Sequence, residues 1–166
     1  DIDAITGFSF TSLLNLEARG VKMDEVVTLP YAEHGVKLYG NVIIASPKLI
    51  KDNPAAVKAF LSAFAKGAKE VMAKPDDAIQ YVKARDGIIN TDLETRRLKM
   101  AIDAVVASPD ARAEGFGVAV PGRMALMASQ VSDAFGTKTR VNAADVWTDA
   151  LLPSKAELNI LPPAKK

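Results

Sequence analysis

The sequence predicts an α/β fold, and three observations predict it. Short apolar segments at residues 2–6, 25–29 and 37–45 read as strands. From residue 54 onward, apolar positions recur at helical spacing behind clear cap signals. Apolar residues make up 49% of the 166-residue chain, enough to build a core and to exclude a disordered class.

The elements follow in order. Residues 2–6 form a short buried strand, with Ile2, Ala4 and Ile5 apolar. Gly7 admits a turn that a side chain would crowd. Ser9 or Thr11 caps a helix carrying Leu13, Leu14 and Leu16, and Gly20 stops it at the C′ position. A second strand at residues 25–29 ends at Pro30. A loop at residues 31–36 holds His34, the one histidine. Residues 37–45 are the strongest strand, rich in Val and Ile. Ser46-Pro47 and Asn53-Pro54 each place a cap residue before a first-turn proline. The next helix sets Val57, Phe60, Leu61, Phe64, Ala68 and Val71 on one face. Pro75-Asp76-Asp77 opens a helix carrying Ala78, Ile79 and Val82. Thr91 and Glu94 form a capping box ahead of Leu98, Ala101, Ile102, Val105 and Val106. Residues 108–120 read as a loop, residues 121–135 as a helix with Met124, Met127 and Val131 inward. Asn142 caps a last helix through Trp147 and Leu151, closed by Pro153. The tail, residues 161–166, is expected to be loose.

A magnitude shows that these helices need a surface to dock on. Burying five large side chains of the Phe60 face yields on the order of 10 kcal/mol. Fixing about 18 backbone residues costs roughly 1–2 kcal/mol each. Three short strands are few for so many helices, and the chain begins almost inside the first of them. The expectation is that further sequence belongs upstream.

Composition excludes several function classes. There are 21 basic and 20 acidic side chains, for a formal net charge of +1. That balance gives no electrostatic footprint for nucleic acid or for an anionic membrane. Arg96, Arg97 and Lys99 read as a solvated helix face. The chain has no cysteine, so disulfides, thiolate metal sites and cysteine nucleophiles are all excluded. There is no Ser-His-Asp order, no histidine pair for a metal and no Walker-type loop. No catalytic residue, metal site or cofactor is therefore expected. No apolar run approaches the roughly 18–20 residues needed to span a bilayer.

Two constellations suit ligand binding. Thr6, Gly7, Phe8, Ser9 and Phe10 form a strand-to-helix turn, where backbone N–H groups and hydroxyls point at the incoming ligand. Phe8 or Phe10 can stack on a planar group. Tyr31, Glu33, His34, Tyr39 and Asn41 offer a phenol, a carboxylate, an imidazole and an amide. Tyr39 and Asn41 stand on an otherwise apolar strand, where a buried amide needs a partner; His34 alone reads more readily as a surface residue.

These same residues carry a resemblance. The runs 3–8, 30–36 and 38–44, followed by 53–61 and the ending Leu151-Leu152-Pro153, resemble periplasmic solute-binding proteins of bacterial ABC importers. They are most similar to the NMT1/THI5-like group, which takes nitrate, sulfonates, taurine and thiamine-pyrimidine precursors. The resemblance implies a type II periplasmic-binding-protein-like fold of two α/β lobes, with this chain as its C-terminal half. It then assigns residues 1–36 to the end of the second lobe, residues 37–45 to a hinge-return strand and residues 46–166 to the first lobe. It implies capture of a small polar or aromatic solute by hinge closure, in the periplasm or on a lipid anchor outside the cell. The implied partners are the importer's membrane subunits, and the missing N-terminal half or a second copy of the chain. Thr6, Phe8, Ser9, Phe10, Tyr39, Asn41 and His34 are the implied ligand-binding residues. Eukaryotic relatives make the thiamine pyrimidine with a cysteine-rich motif that this chain lacks, so an enzyme is not expected. A helical interaction module without a small ligand is the remaining alternative.

Overall fold

Helices build this protein, and they are docked by charged side chains as much as by a core. In the computed structural model, which describes residues 2–162, nine α-helices follow one another. They are α1 (Ser9–Glu17), α2 (Pro47–Asp52), α3 (Pro54–Ala73), α4 (Pro75–Arg85), α5 (Thr91–Ala101), α6 (Pro109–Glu114), α7 (Pro121–Ala134), α8 (Ala143–Val146) and α9 (Lys155–Leu158). Single 3₁₀ turns stand at Met23–Glu25 and Tyr31–His34, and α5 runs on into a π-helical turn at Ile102–Val106. Helix α5 packs on α4 and α1; α3 packs on α2, α4 and α9; α7 packs on α8. No helix among the described residues is long and apolar enough to cross a membrane.

Caps place most of these boundaries. The Ser46 and Asn53 side chains accept from the Leu49 and Ala56 N–H groups, as the Ser-Pro and Asn-Pro pairs predict. Gly20 adopts φ +87°, and the Val21 N–H reaches back to the Leu16 carbonyl, which ends α1 as expected. Other details differ. Phe8, not Ser9 or Thr11, is the N-cap of α1, and no side chain caps it. Asn90 rather than Thr91 caps α5, its Oδ1 accepting from Asp92 and Leu93. The supposed loop at residues 108–120 contains α6, capped by the Ser108 hydroxyl. The helix after Asn142 is only one turn, and α9 follows it with its own capping box of Ser154 and Glu157.

The α/β expectation is overturned, and with it the type II two-lobed architecture: no strand forms among the described residues. Residues 2–6, 26–30 and 36–46 lie outside every helix and form no strand ladder among the described residues. The physical reason is that strand patterning reports side-chain fit to a sheet, whereas a strand exists only through its ladder. The consequence shows in exposure. Ile2, Val27, Leu29 and Ile44 are 71–87% exposed. Burying those four would contribute roughly 5–10 kcal/mol, so these segments hold unspent apolar surface.

The buried core is correspondingly small: Leu14, Val57, Ala65, Ile79, Met124, Ala128, Leu158 and Ile160. Phe60 and Phe64, expected inward, stack on each other and remain about half exposed. Phe64 also stacks on Phe116, with ring centroids 6.3 Å apart. The Phe116 N–H donates to the Leu158 carbonyl, tying α9 to the loop after α6. The tail lies outside the described residues from position 163 onward.

Arg97 is the largest departure from the solvated face expected of α5. Its side chain is only 19% exposed. Nε donates to the Glu94 carboxylate at 3.0 Å, Nη1 to the Phe10 carbonyl at 3.0 Å, and Nη2 to Asn15 Oδ1 at 3.1 Å. A planar fork of donors is what can serve three acceptors on α1 and α5 at once. Beside it, Arg96 pairs with Glu17 and Lys99 with Asp76 in exposed ion pairs that contribute little.

Two predictions follow from this packing. Arg97→Met should destabilise the chain by about 1–3 kcal/mol, because carbonyls of α1 lose a charged donor. Thermal unfolding should report a drop of roughly 2–4 °C per kcal/mol, and Arg97→Lys should recover only part of it. The second concerns Glu157, whose carboxyl is held below its usual range, first by the Ser154 hydroxyl, then by the Ser154 N–H and by Ser62. A carboxyl lowered in the folded state stabilises above its unfolded value and loses that contribution as pH falls through the folded one. Backbone amide shifts of α9 should therefore be constant at neutral pH and move below the ordinary carboxylate range. Glu157→Gln should abolish that movement.

Candidate functional site

The turn at residues 6–10 and the segment at residues 37–41 meet. Phe8 and Phe10 stack with ring centroids 5.1 Å apart and 19° between planes. A methyl group built on Gly40 would lie 3.9 Å from Phe8 Cε1, so the backbone at Gly40 passes along the Phe8 ring. At Gly7 a built methyl would come within 2.7 Å of Ser12 Oγ, so a larger residue there would require the Ser12 hydroxyl to turn away. Phe8 is 43% exposed, which leaves an aromatic surface available beside Gly40.

Tyr39 is positioned from α7 and from the loop before it. Its hydroxyl accepts the Val120 N–H at 2.8 Å, and its own N–H points at the Met127 sulfur at 3.4 Å. The Arg123 guanidinium lies 4.1 Å from the centre of the Tyr39 ring. Arg123 also donates from Nε to the Lys37 carbonyl at 3.0 Å, from Nη2 to the Leu38 carbonyl at 2.8 Å, and from Nη1 to Asp110 at 2.9 Å. Five of these six contacts, all but that with Asp110, fix residues 37–39 against α7 and the Val120 that precedes it. The Tyr39 ring is thus covered by a cation on one face, with its hydroxyl already engaged.

The remaining expected residues are less gathered. Thr6, Ser9 and Asn41 are exposed, and among the described residues no hydrogen bond engages their side chains. Asn41 was expected to need a buried partner; its strand is unpaired, so the amide faces solvent instead. His34 is exposed at the end of its 3₁₀ turn, and no hydrogen bond among the described residues joins it to Phe8, Tyr39 or Asn41. The adjoining Gly35 carbonyl accepts from Gln130 Nε2 at 3.2 Å, which pins this turn to α7. Two open clefts of about 200 Å³ lie elsewhere. One is edged by Arg112, Lys155 and Asn159, the other by Leu13, Val26, Arg96 and Met100. No group of three or more potential metal ligands occurs among the described residues.

Sequence reasoning missed Arg123 and Asp110. A signal was present: Arg123 sits in the first turn of α7, where a helix dipole disfavours a cation. A basic residue there, with no acid in that turn, implies recruitment by something off the helix.

Tyr39→Phe isolates one of these contacts. It leaves the ring under Arg123 and strands the Val120 N–H. A loss of about 1–2 kcal/mol is expected, measured by denaturant unfolding.

Neither a curated protein nor a solved structure matches the chain significantly. Residues 1–78 match the profile of the family described as NMT1/THI5 like. That span is 78 of 166 residues, a little under half of the chain, and it contains every candidate residue from Thr6 to Asn41. Over its first 78 residues, the stretch that holds the aromatic pair and the Tyr39 segment, this protein is similar to the NMT1/THI5-like family.

Proposed function

We propose that this chain is the solute-capturing component of a bacterial ABC importer, working in the periplasm or on a lipid anchor outside the cell. The solute is small and polar or aromatic: a sulfonate, nitrate or a pyrimidine. The observation that carries this reading is the family match over residues 1–78. The geometry adds support at one place, the stacked Phe8–Phe10 pair with the Gly40 backbone alongside. In this reading Phe8 and Phe10 stack on the solute, and Thr6, Ser9 and Asn41 supply hydrogen bonds. Tyr39 holds the segment in place, since its hydroxyl is already bonded to Val120. His34 stands at the margin as an additional polar contact. Closure of two α/β lobes is no part of the proposal, because the described residues form no sheet.

Two other readings stay distinguishable. A pyrimidine-forming enzyme would turn its ligand over. A helical interaction module without a small ligand is favoured by one observation, the exposed apolar side chains of the extended segments.

A thermal-shift series on the full chain with taurine, nitrate and a hydroxymethylpyrimidine separates the three. A true ligand at about 100 times its Kd adds roughly 2.7 kcal/mol, so a rise of several degrees is expected with at least one compound. Phe8→Ala should weaken that ligand roughly 2- to 12-fold, as the loss of one aromatic stack of about 0.5–1.5 kcal/mol requires. Asn41→Ala should weaken it as well while leaving the unfolding temperature of the free protein unchanged. No shift with any compound would overturn the proposal; chemical conversion of the pyrimidine would replace it with the enzyme.

A further inference from the structure

Asp86 and Gly87 form the one Asp-Gly pair in the chain, and no Asn-Gly pair occurs. The pair lies in the connection between α4 and α5, where Asp86, Gly87 and Ile88 are all exposed. In any aspartate the backbone nitrogen of the next residue can attack the side-chain carboxyl carbon and close a five-membered ring. A β-carbon on that next residue crowds the approach, and glycine has none.

The fold leaves this reaction open. The Gly87 N–H makes no hydrogen bond among the described residues, so its nitrogen is not committed to a carbonyl. A methyl group built on Gly87 would meet no heavy atom within 4 Å beyond its chain neighbours, so the peptide has room to turn. Asp86 Oδ1 accepts from the Ile88 N–H at 3.3 Å, a local contact that folds the carboxyl back toward the following backbone. Ring closure also requires rotation about ψ of Asp86, which stands at 92°. The backbone bond that resists this rotation runs from the Ile89 N–H to the Asp86 carbonyl, and at 3.5 Å it is long. Other aspartates are held differently. The N–H after Asp110 donates to the Ser108 hydroxyl at 3.2 Å, and Asp133 lies inside α7.

We propose that Asp86-Gly87 is a site of spontaneous succinimide formation in the folded protein, converting an α-linkage into a β-linkage. The Gly87 nitrogen bonds to Asp86 Cγ. One carboxyl oxygen leaves as water, carrying the carboxyl proton and the Gly87 amide proton. Water then adds to one of the two ring carbonyls. Opening at Cγ restores aspartate. Opening at the backbone carbonyl carbon leaves Gly87 joined through Cγ and frees the α-carboxylate. Nothing is oxidised or reduced. The β-linkage lengthens the main chain between α4 and α5 by one atom and removes the carboxyl that receives the Ile88 N–H.

Incubating the full chain over weeks at neutral pH, in water enriched in the heavy oxygen isotope, tests this. Each ring opening inserts one solvent oxygen. Tryptic peptides are then taken in ordinary water, beginning at Asp86 or, where a β-linkage blocks cleavage after Arg85, at Ala84. Label on residue 86 is expected, with a second chromatographic form of the same peptide mass accumulating beside the first. Asp110 and Asp133 should stay unlabelled. Gly87→Ala should slow the labelling at least about twofold, the least that the lost freedom of glycine requires. Asp86→Glu should abolish it, because the ring would need a sixth member. Circular dichroism should be the same for both variants, which separates lost chemistry from lost folding. No label at residue 86, equal label at Asp110, or a rate indifferent to Gly87→Ala would each overturn the proposal. So would labelling that occurs only in urea, because the fold would then protect the pair.

Discussion

The guanidinium of Arg123 is the constraint on which the arrangement of the N-terminal third depends. It makes four interactions with two parts of the chain: the carbonyls of Lys37 and Leu38 and the face of Tyr39 in one segment, and the carboxylate of Asp110 in α6. Residues 36–46 have no ladder to hold them, so this clamp and the Tyr39 hydroxyl on Val120 decide where they run. That path brings Gly40 to Phe8, and thereby sets the aromatic surface beside an exposed amide. Arg97 does the equivalent work for α1, joining its carbonyls to α5. Each arginine is partly shielded and hydrogen-bonded by several acceptors, the setting in which charged hydrogen bonds are strongest. A small apolar core and two such forks together account for how short helices stay docked.

Helix boundaries were legible at three local signals, whereas the equally local caps at Asn90, Ser108 and Ser154 were passed over. Ser46, Asn53 and Gly20 behave as their neighbours in sequence require, because capping is decided within four residues. Strands were not legible for the same reason inverted. Residues 37–45 have the composition of a strand, but pairing depends on what lies opposite, which no local window contains. The Phe60 face failed in a related way. Of the six positions its spacing marks on α3 only Val57 is buried and Leu61, Ala68 and Val71 are half-buried, while the aromatic rings find each other and Phe116 instead of a sheet. At the candidate site, the turn at residues 6–10 was readable as an aromatic and hydroxyl cluster. The clamp that positions its neighbour comes from residues more than 80 positions away, and periodicity carries no trace of it.

Function rests on a different footing from fold. The family similarity covers the segment in which all the candidate contacts lie, and the geometry there is modest: a stacked pair, a close backbone and unengaged polar groups. Those parts are what the proposed planar, polar solute would meet. The apolar segments that surround them raise a separate question, that of what they pair with, and the two questions concern different residues. The proposed solute contacts concern Phe8 and its neighbours, whereas the run without backbone hydrogen bonds among the described residues begins at Gly40.

The π-helical turn at Ile102–Val106 has a consequence for the second half of the molecule. The Ala107 N–H reaches the Ile102 carbonyl, five residues back, so one residue more than usual is wound into that turn. In an α-helix each residue advances the azimuth by about 100°. The extra residue therefore reorients everything downstream, including Ser108 and the α6 carboxylate of Asp110 that Arg123 grips. Chain length at this one point, counted in single residues, sets the compass bearing of α6 and with it the reach of the clamp.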